Sequence, residues 1–220
     1  MRVVDPVLQE LREKLLRMGS LAEAILEKAL LAVWKRDRAA AREVQIDDLE
    51  IDRLDLAIDE AVLRILATQA PVADDLRSVI AAKMIATDLE RVGDLARNIA
   101  KCALRLAEHT DVSIPARLRT LGDEVQRVLH RALDSFADSD AERAGLVLEQ
   151  DDQVDADQDV VIRAAIQDIA SHPELTSQGV DFILIAKNLE RVADHATNIA
   201  EDVILATQAR NVKHASKLAR

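Results

Sequence analysis

The sequence has 220 residues, of which 49% are hydrophobic and 31% charged; this balance excludes a disordered chain and leaves room for one large domain or two of about 100 residues. A net charge of −11, from 29 basic and 40 acidic residues, argues against DNA, RNA or anionic lipid as the main ligand and favours cations or basic partner surfaces. Three aromatic residues, Trp34, Phe136 and Phe182, and the single Cys102 exclude an aromatic core, an intrachain disulfide and a cysteine-based zinc site.

Helical periodicity dominates from the start. Leu8, Leu11, Leu15, Leu16, Ile25, Leu26, Ala29 and Leu30 recur at spacings of three and four and predict a first helix over 6–36. Trp34 within it reads as a core or interface anchor. Val44, Ile51, Leu54, Ile58, Ala61, Val62 and Ile65 predict a second over 37–69, stopped by Pro71 because the residue before a proline is driven from the α region. A third is expected over 73–108. Residues 109–115 then break the pattern, with Asp111 or Ser113 as caps and Pro115 in a first helical turn. Three further helices are expected over 116–137, 140–170 and 175–209, Pro173 separating the last two much as Pro71 separates their counterparts, before a short basic tail. No apolar run is long enough to span a membrane, and residues 1–13 lack a hydrophobic signal segment, so a soluble cytoplasmic protein is expected.

The two halves repeat. Segments 85–100 and 185–200 are identical at eleven of sixteen positions, among them Glu90/Glu190, Arg91/Arg191, Asp94/Asp194 and Asn98/Asn198. Shared helical composition would preserve Leu and Ala but not these polar residues, so the chain is an internal duplication. Its units are placed at 1–110 and 111–220. The middle helices correspond at an offset of 103, which sets Asp48 and Asp52 opposite Asp151 and Asp155.

Carboxylates four apart on a helix lie one turn above each other and repel unless something neutralises them. A bound cation does so, and carboxylate-rich sites suit Mg²⁺, Mn²⁺ or iron, with zinc also acceptable. On a helical wheel Glu90 and Asp94 fall opposite the apolar stripe of Ile85, Leu89, Val92, Ala96 and Ile99, while Asp48, Asp52, Asp55 and Asp59 flank theirs. The acidic stripes are therefore expected to meet in an outer groove between neighbouring helices, one four-carboxylate site per half. A solvated acidic face, with Arg91 and Arg191 forming weak surface ion pairs, is the plain alternative. His195 is either an added nitrogen ligand or a surface histidine bonded to its neighbours, and Asn98 and Asn198 either complete a metal shell or bond locally. A di-iron bundle core, a phosphate-binding glycine loop and a nucleophile–base constellation all lack their residues.

The segments Leu89-Glu90-Arg91-Val92-Gly93-Asp94 and Leu189-Glu190-Arg191-Val192-Ala193-Asp194-His195-Ala196-Thr197-Asn198-Ile199-Ala200-Glu201 resemble the duplicated signature of the PhoU family, phosphate-transport accessory and regulatory proteins. Pro71-Val72-Ala73-Asp74-Asp75-Leu76-Arg77 resembles the segment leading into that family's third helix, and the resemblance covers nearly the whole chain. It implies an all-α fold of two pseudo-symmetric three-helix bundles, six long antiparallel helices in all, and a homodimer. By position it implies metal ligands Asp48, Asp52, Glu90 and Asp94, with Asp75 less firmly, in the first half. In the second it implies Asp151, Asp155, Glu190 and Asp194, iron or zinc being favoured. It further implies a non-enzymatic regulator of phosphate uptake and negative regulator of the phosphate-starvation response. The implied partners are the phosphate ABC transporter ATPase and a sensor histidine kinase, with no nucleic acid and no membrane insertion. Ala193 in place of Gly93 suggests a less open second site. A metal-storage protein or metal-dependent hydrolase on the same carboxylates, and a purely structural helical adaptor, are the competing readings.

Overall fold

The computed structural model describes residues 6–109 and 112–213. Within them the chain is helical, with no strand: α1 (Pro6–Lys35), α2 (Arg38–Gln69), α3 (Ala73–Leu106), α4 (Ala116–Asp138), α5 (Ala141–Leu148), α6 (Asp151–Ser171) and α7 (Thr176–Gln208), with a 3₁₀ turn at Pro173–Leu175. None of these helices is long and apolar enough to cross a membrane.

Local chemistry repeats at the first turn of each half. Asp37 caps α2 by accepting from the backbone N–H of Ala39 and Ala40, at 2.9 and 3.1 Å. Asp140, 103 positions later, caps α5 by accepting from Glu142 and Arg143, both at 3.0 Å. Each cap follows a residue in the left-handed region, Arg36 and Ser139. Such caps satisfy donors that a helix start otherwise leaves unpaired.

Two expectations are corrected here. The helix expected over 140–170 is broken at Glu149-Gln150 into α5 and α6, so that α6 begins with Asp151 and Asp152 in its first turn. The backbone shifts there to a tighter bond from Gln150 N–H to the Val147 carbonyl. A new helix start is stabilising for these acids, because its positive dipole end meets two carboxylates that would otherwise crowd mid-helix. At α4, Pro115 itself holds the cap position, with no side-chain capping bond, so Ser113 does not cap; Asp111 lies outside the described residues.

Each half packs as expected for a three-helix unit: α1, α2 and α3 against one another, and α4, the α5–α6 pair and α7 likewise. The halves are joined through their equivalent helices, with α3 against α7 the most extensive packing in the molecule and α1 against α4 beside it. Buried Leu, Ile, Val and Ala from both halves form one continuous core. Small side chains let the backbones close up. At the α1–α4 crossing a Cβ on Gly122 would come within 2.8 Å of Trp34 Cζ2, and the Arg119 guanidinium lies 4.9 Å from the Trp34 ring centre. Of the two readings of Trp34, core or interface anchor, these contacts at the α1–α4 crossing favour the interface.

Candidate metal centre

In the first half, α2 and α3 lie side by side and bring their acidic stripes together. Asp48 lies at their contact and is only 1% exposed, which corrects the expectation of a purely outer site. Gly93 makes room for it, since a Cβ there would fall 2.6 Å from Asp48 Oδ1. Asp52, Glu90 and Asp94 are partly buried around it. Burial pushes the Asp48 carboxyl above its ordinary range; Arg97 pulls it down, and Asp52 and Asp94 push it up again. Glu90 is raised by burial first, then by Asp94, with Arg91 opposing and Asp55 and Asp52 adding to it.

Arg97, one turn beyond Asp94, sits among these acids. Its Nη1 donates to Asp48 Oδ2 at 2.5 Å and its Nη2 to Asp94 Oδ1. Arg91 adds Nη1 to Asp94 Oδ2 at 3.1 Å and an ion pair with Glu90 at 3.3 Å. Lys83 pairs with Asp55 and Asp59. Asp75 lies in the first turn of α3, about 22 Å along the helix from Glu90, and so does not join the cluster.

The second half brings Asp151 and Asp155 of α6 towards Glu190 and Asp194 of α7, with a different balance of charge. No Lys, Arg or His forms an ion pair with any of these four among the described residues. Thr197, where Arg97 stands in the first half, donates its Oγ1 to Asp151 Oδ1 at 3.2 Å. Asp155 is raised by lost hydration, then by Asp151, Asp152 and Asp159. Glu190 is raised by burial, then by Asp194 and Asp155, with Arg191 opposing. Asp194 is raised by lost hydration, then by Asp151 and Asp155, with His195 and Arg191 opposing. Opening of the α5–α6 turn leaves Asp151 partly exposed where Asp48 is buried.

Among the described residues no three carboxylate, imidazole or thiol groups converge closely enough to hold a metal ion as they stand. The second-half donor set nonetheless suits a cation chemically, because burial and the neighbouring carboxylates raise Asp155, Glu190 and Asp194 and, among the described residues, no basic side chain forms an ion pair with the four. The first-half set does not fit in this arrangement, because a guanidinium already lies between Asp48 and Asp94.

Sequence reasoning missed the polar contacts between the halves. His195 faces the other half rather than the acidic cluster: its Nδ1 lies 2.7 Å from Asp88 Oδ1, and Asn198 Nδ2 donates to the same oxygen at 3.2 Å. Asn98 bonds locally, accepting from Lys101 at 3.3 Å. Further along the α3–α7 interface Arg105 reaches the buried Asp181, donating from Nε at 2.8 Å and from Nη2. Its Nη2 also lies 3.1 Å from Cys102 Sγ, and burial pushes that thiol up to about 11, which keeps it unreactive at neutral pH. A signal existed for Asp88, His195 and Arg97 only. Asp88/Asn188, Leu95/His195 and Arg97/Thr197 are among the five positions at which the duplicated segments differ.

Comparison with known proteins converges on one family. The family model described as the PhoU domain matches twice, at residues 15–103 and 118–203. A phosphate-specific transport system accessory protein PhoU homolog from Pseudomonas aeruginosa is 35% identical over 208 residues, 94% of this chain and 86% of that protein. The accessory protein PhoU of Serratia marcescens is 30% identical over 207 residues, 94% of this chain and 85% of its own length. The crystal structure of PhoU from Pseudomonas aeruginosa superposes with a TM-score of 0.91 at 34% identity, covering 93% of this chain and 99% of that one. The phosphate transport system regulatory protein PhoU from Streptococcus pneumoniae superposes at 0.86 and 29% identity, covering 93% and 97%.

Proposed function

This chain belongs to the PhoU family, and we propose that it is a non-enzymatic cytoplasmic regulator that restrains phosphate uptake and the phosphate-starvation response when phosphate is plentiful. Its partners in this reading are the phosphate ABC transporter ATPase and a sensor histidine kinase, and it acts as a homodimer. One observation carries the reading: a match along almost the whole chain to proteins named as accessories of phosphate-specific transport, with the acidic signature present in both halves.

The site chemistry supports a regulator over a catalyst. Every carboxylate that would act as a general base is also a candidate ligand, so no residue is left with a distinct proton-transfer role. A cation on Asp151, Asp155, Glu190 and Asp194 would offset part of their repulsion and, through an open coordination position, offer a docking point for a partner's carboxylate or a phosphate group on an otherwise acidic surface. Iron or zinc is the favoured ion on family grounds, and magnesium or manganese also suits an all-oxygen donor set.

Deletion of the gene should switch on the starvation response in phosphate-rich medium, read as a phosphatase reporter, and affinity capture from phosphate-replete cells should recover the transporter ATPase or the kinase. A reporter that stays repressed after deletion would sink the regulatory reading. Metal-stimulated hydrolysis of a phosphate ester by the purified protein, abolished by Glu190→Ala with Asp194→Ala, would replace it with the enzyme reading.

A further inference from the structure

The two acidic clusters descend from one duplicated unit but are neutralised in different ways. In the second, Thr197 contributes only a hydroxyl. In the first, the Arg97 guanidinium spreads one nitrogen to Asp48 and the other to Asp94, on two different helices. We propose that Arg97 is a built-in cation that closes the first-half cluster to metal, so that metal loading of this chain belongs to the second half.

The inference rests on the metal reading above and follows from geometry and charge. A planar guanidinium matches two carboxylate oxygens and stays charged at any physiological pH, so it is a permanent counter-ion rather than a titrating one. A divalent cation needs those oxygens at about 2.0–2.6 Å, the space that the guanidinium now spans. Asp48 cannot turn to solvent to accept both, because it is held in the α2–α3 contact against Gly93. Displacing Arg97 would leave its charge to be rehydrated while the buried carboxylate waited for an incoming ion; a tethered cation also competes at a high effective concentration. The second half lacks each of these features. Asp151 begins a helix and is partly exposed, Ala193 replaces Gly93, and among the described residues no basic side chain bridges the two helices.

The test uses the full chain, stripped of metal and titrated with Mn²⁺, with bound ion counted by equilibrium dialysis and its ligand field read by electron paramagnetic resonance. Glu90→Ala with Asp94→Ala should leave wild-type loading unchanged, and Glu190→Ala with Asp194→Ala should remove it. Arg97→Thr should add a second class of bound Mn²⁺, lost again when the Glu90 and Asp94 changes are added, and should melt lower in EDTA with recovery on adding Mn²⁺. Loss of part of the wild-type loading in the Glu90/Asp94 variant overturns the inference, and does so even if Arg97→Thr proves unable to fold; so does an Arg97→Thr protein that gains no ion. A wild-type chain that binds no Mn²⁺ while Arg97→Thr does would instead sink the second-half metal reading and leave the role of Arg97 standing.

Discussion

At the scale of single residues, the polar groups that decide specificity sit where two helices meet. Asp181 is 2% exposed, and its companion is Arg105 from the other half. Its Oδ2 has no hydrogen-bond partner among the described residues, so the charge depends on one guanidinium. Truncating one member of such a pair strands the other, a penalty larger than the net value of the pair itself. Because Arg105 is half exposed, Arg105→Ala should cost about 2 kcal/mol, below the roughly 3–5 kcal/mol for breaking a fully buried pair. Arg105→Leu with Asp181→Leu should recover most of that loss; urea denaturation of the three proteins measures both. Equal destabilisation of the single and double variants would show that Asp181 is not a stranded charge.

At the scale of elements, the two halves show how one difference resets a helix contact. Gly93 allows α2 to lie close enough for Asp48 to be buried against α3, where Ala193 stands in the second half. Gly93→Ala would gain helix propensity of about 1 kcal/mol in isolation. Here it should instead destabilise by about 1–3 kcal/mol, because the new methyl group meets the Asp48 carboxylate and Ile51 Cδ1, at 2.6 and 3.1 Å, in a closely packed contact. Thermal unfolding of the variant reads the sign, and a raised melting temperature would mean that α2 can withdraw without cost. The break between α5 and α6 belongs to this scale too. Hydrophobic spacing passes through Glu149-Gln150 without interruption, so periodicity alone extends one helix across it; the competition between continuing the helix and starting a new one beneath Asp151 and Asp152 is settled only in the folded chain.

At the scale of the molecule, α3 and α7 run antiparallel across the interface between the halves. Asp88 on α3 meets His195 on α7, and Cys102 with Arg105 on α3 lies by Asp181 on α7, the pattern of a pseudo-twofold axis between two copies of one unit. The buried face of α3 is covered on one side by α1 and α2 and on the other by α7, so neither half has a complete core alone. The full chain should therefore unfold in a single transition, whereas a fragment of residues 1–110 should lack cooperative unfolding or associate through its bare α3 face. Circular dichroism with size-exclusion chromatography tests this. A monomeric fragment with a sharp transition would show that each half stabilises itself.

The duplication, the helical class and the acidic pairs are all legible in the chain itself, because they are local patterns: spacing along one helix and identity at a fixed offset. The helical wheel could place Glu90 and Asp94 off the apolar face, but not show that Asp48 is buried, since that depends on how closely α2 approaches α3 at Gly93. Nor could it reveal that Arg97 bridges two helices, that His195 answers to Asp88 107 residues away, or that Arg105 answers to Asp181. Those facts belong to tertiary structure because each joins residues on separate helices, whose mutual distance and rotation follow from packing of the whole core rather than from the periodicity of either partner.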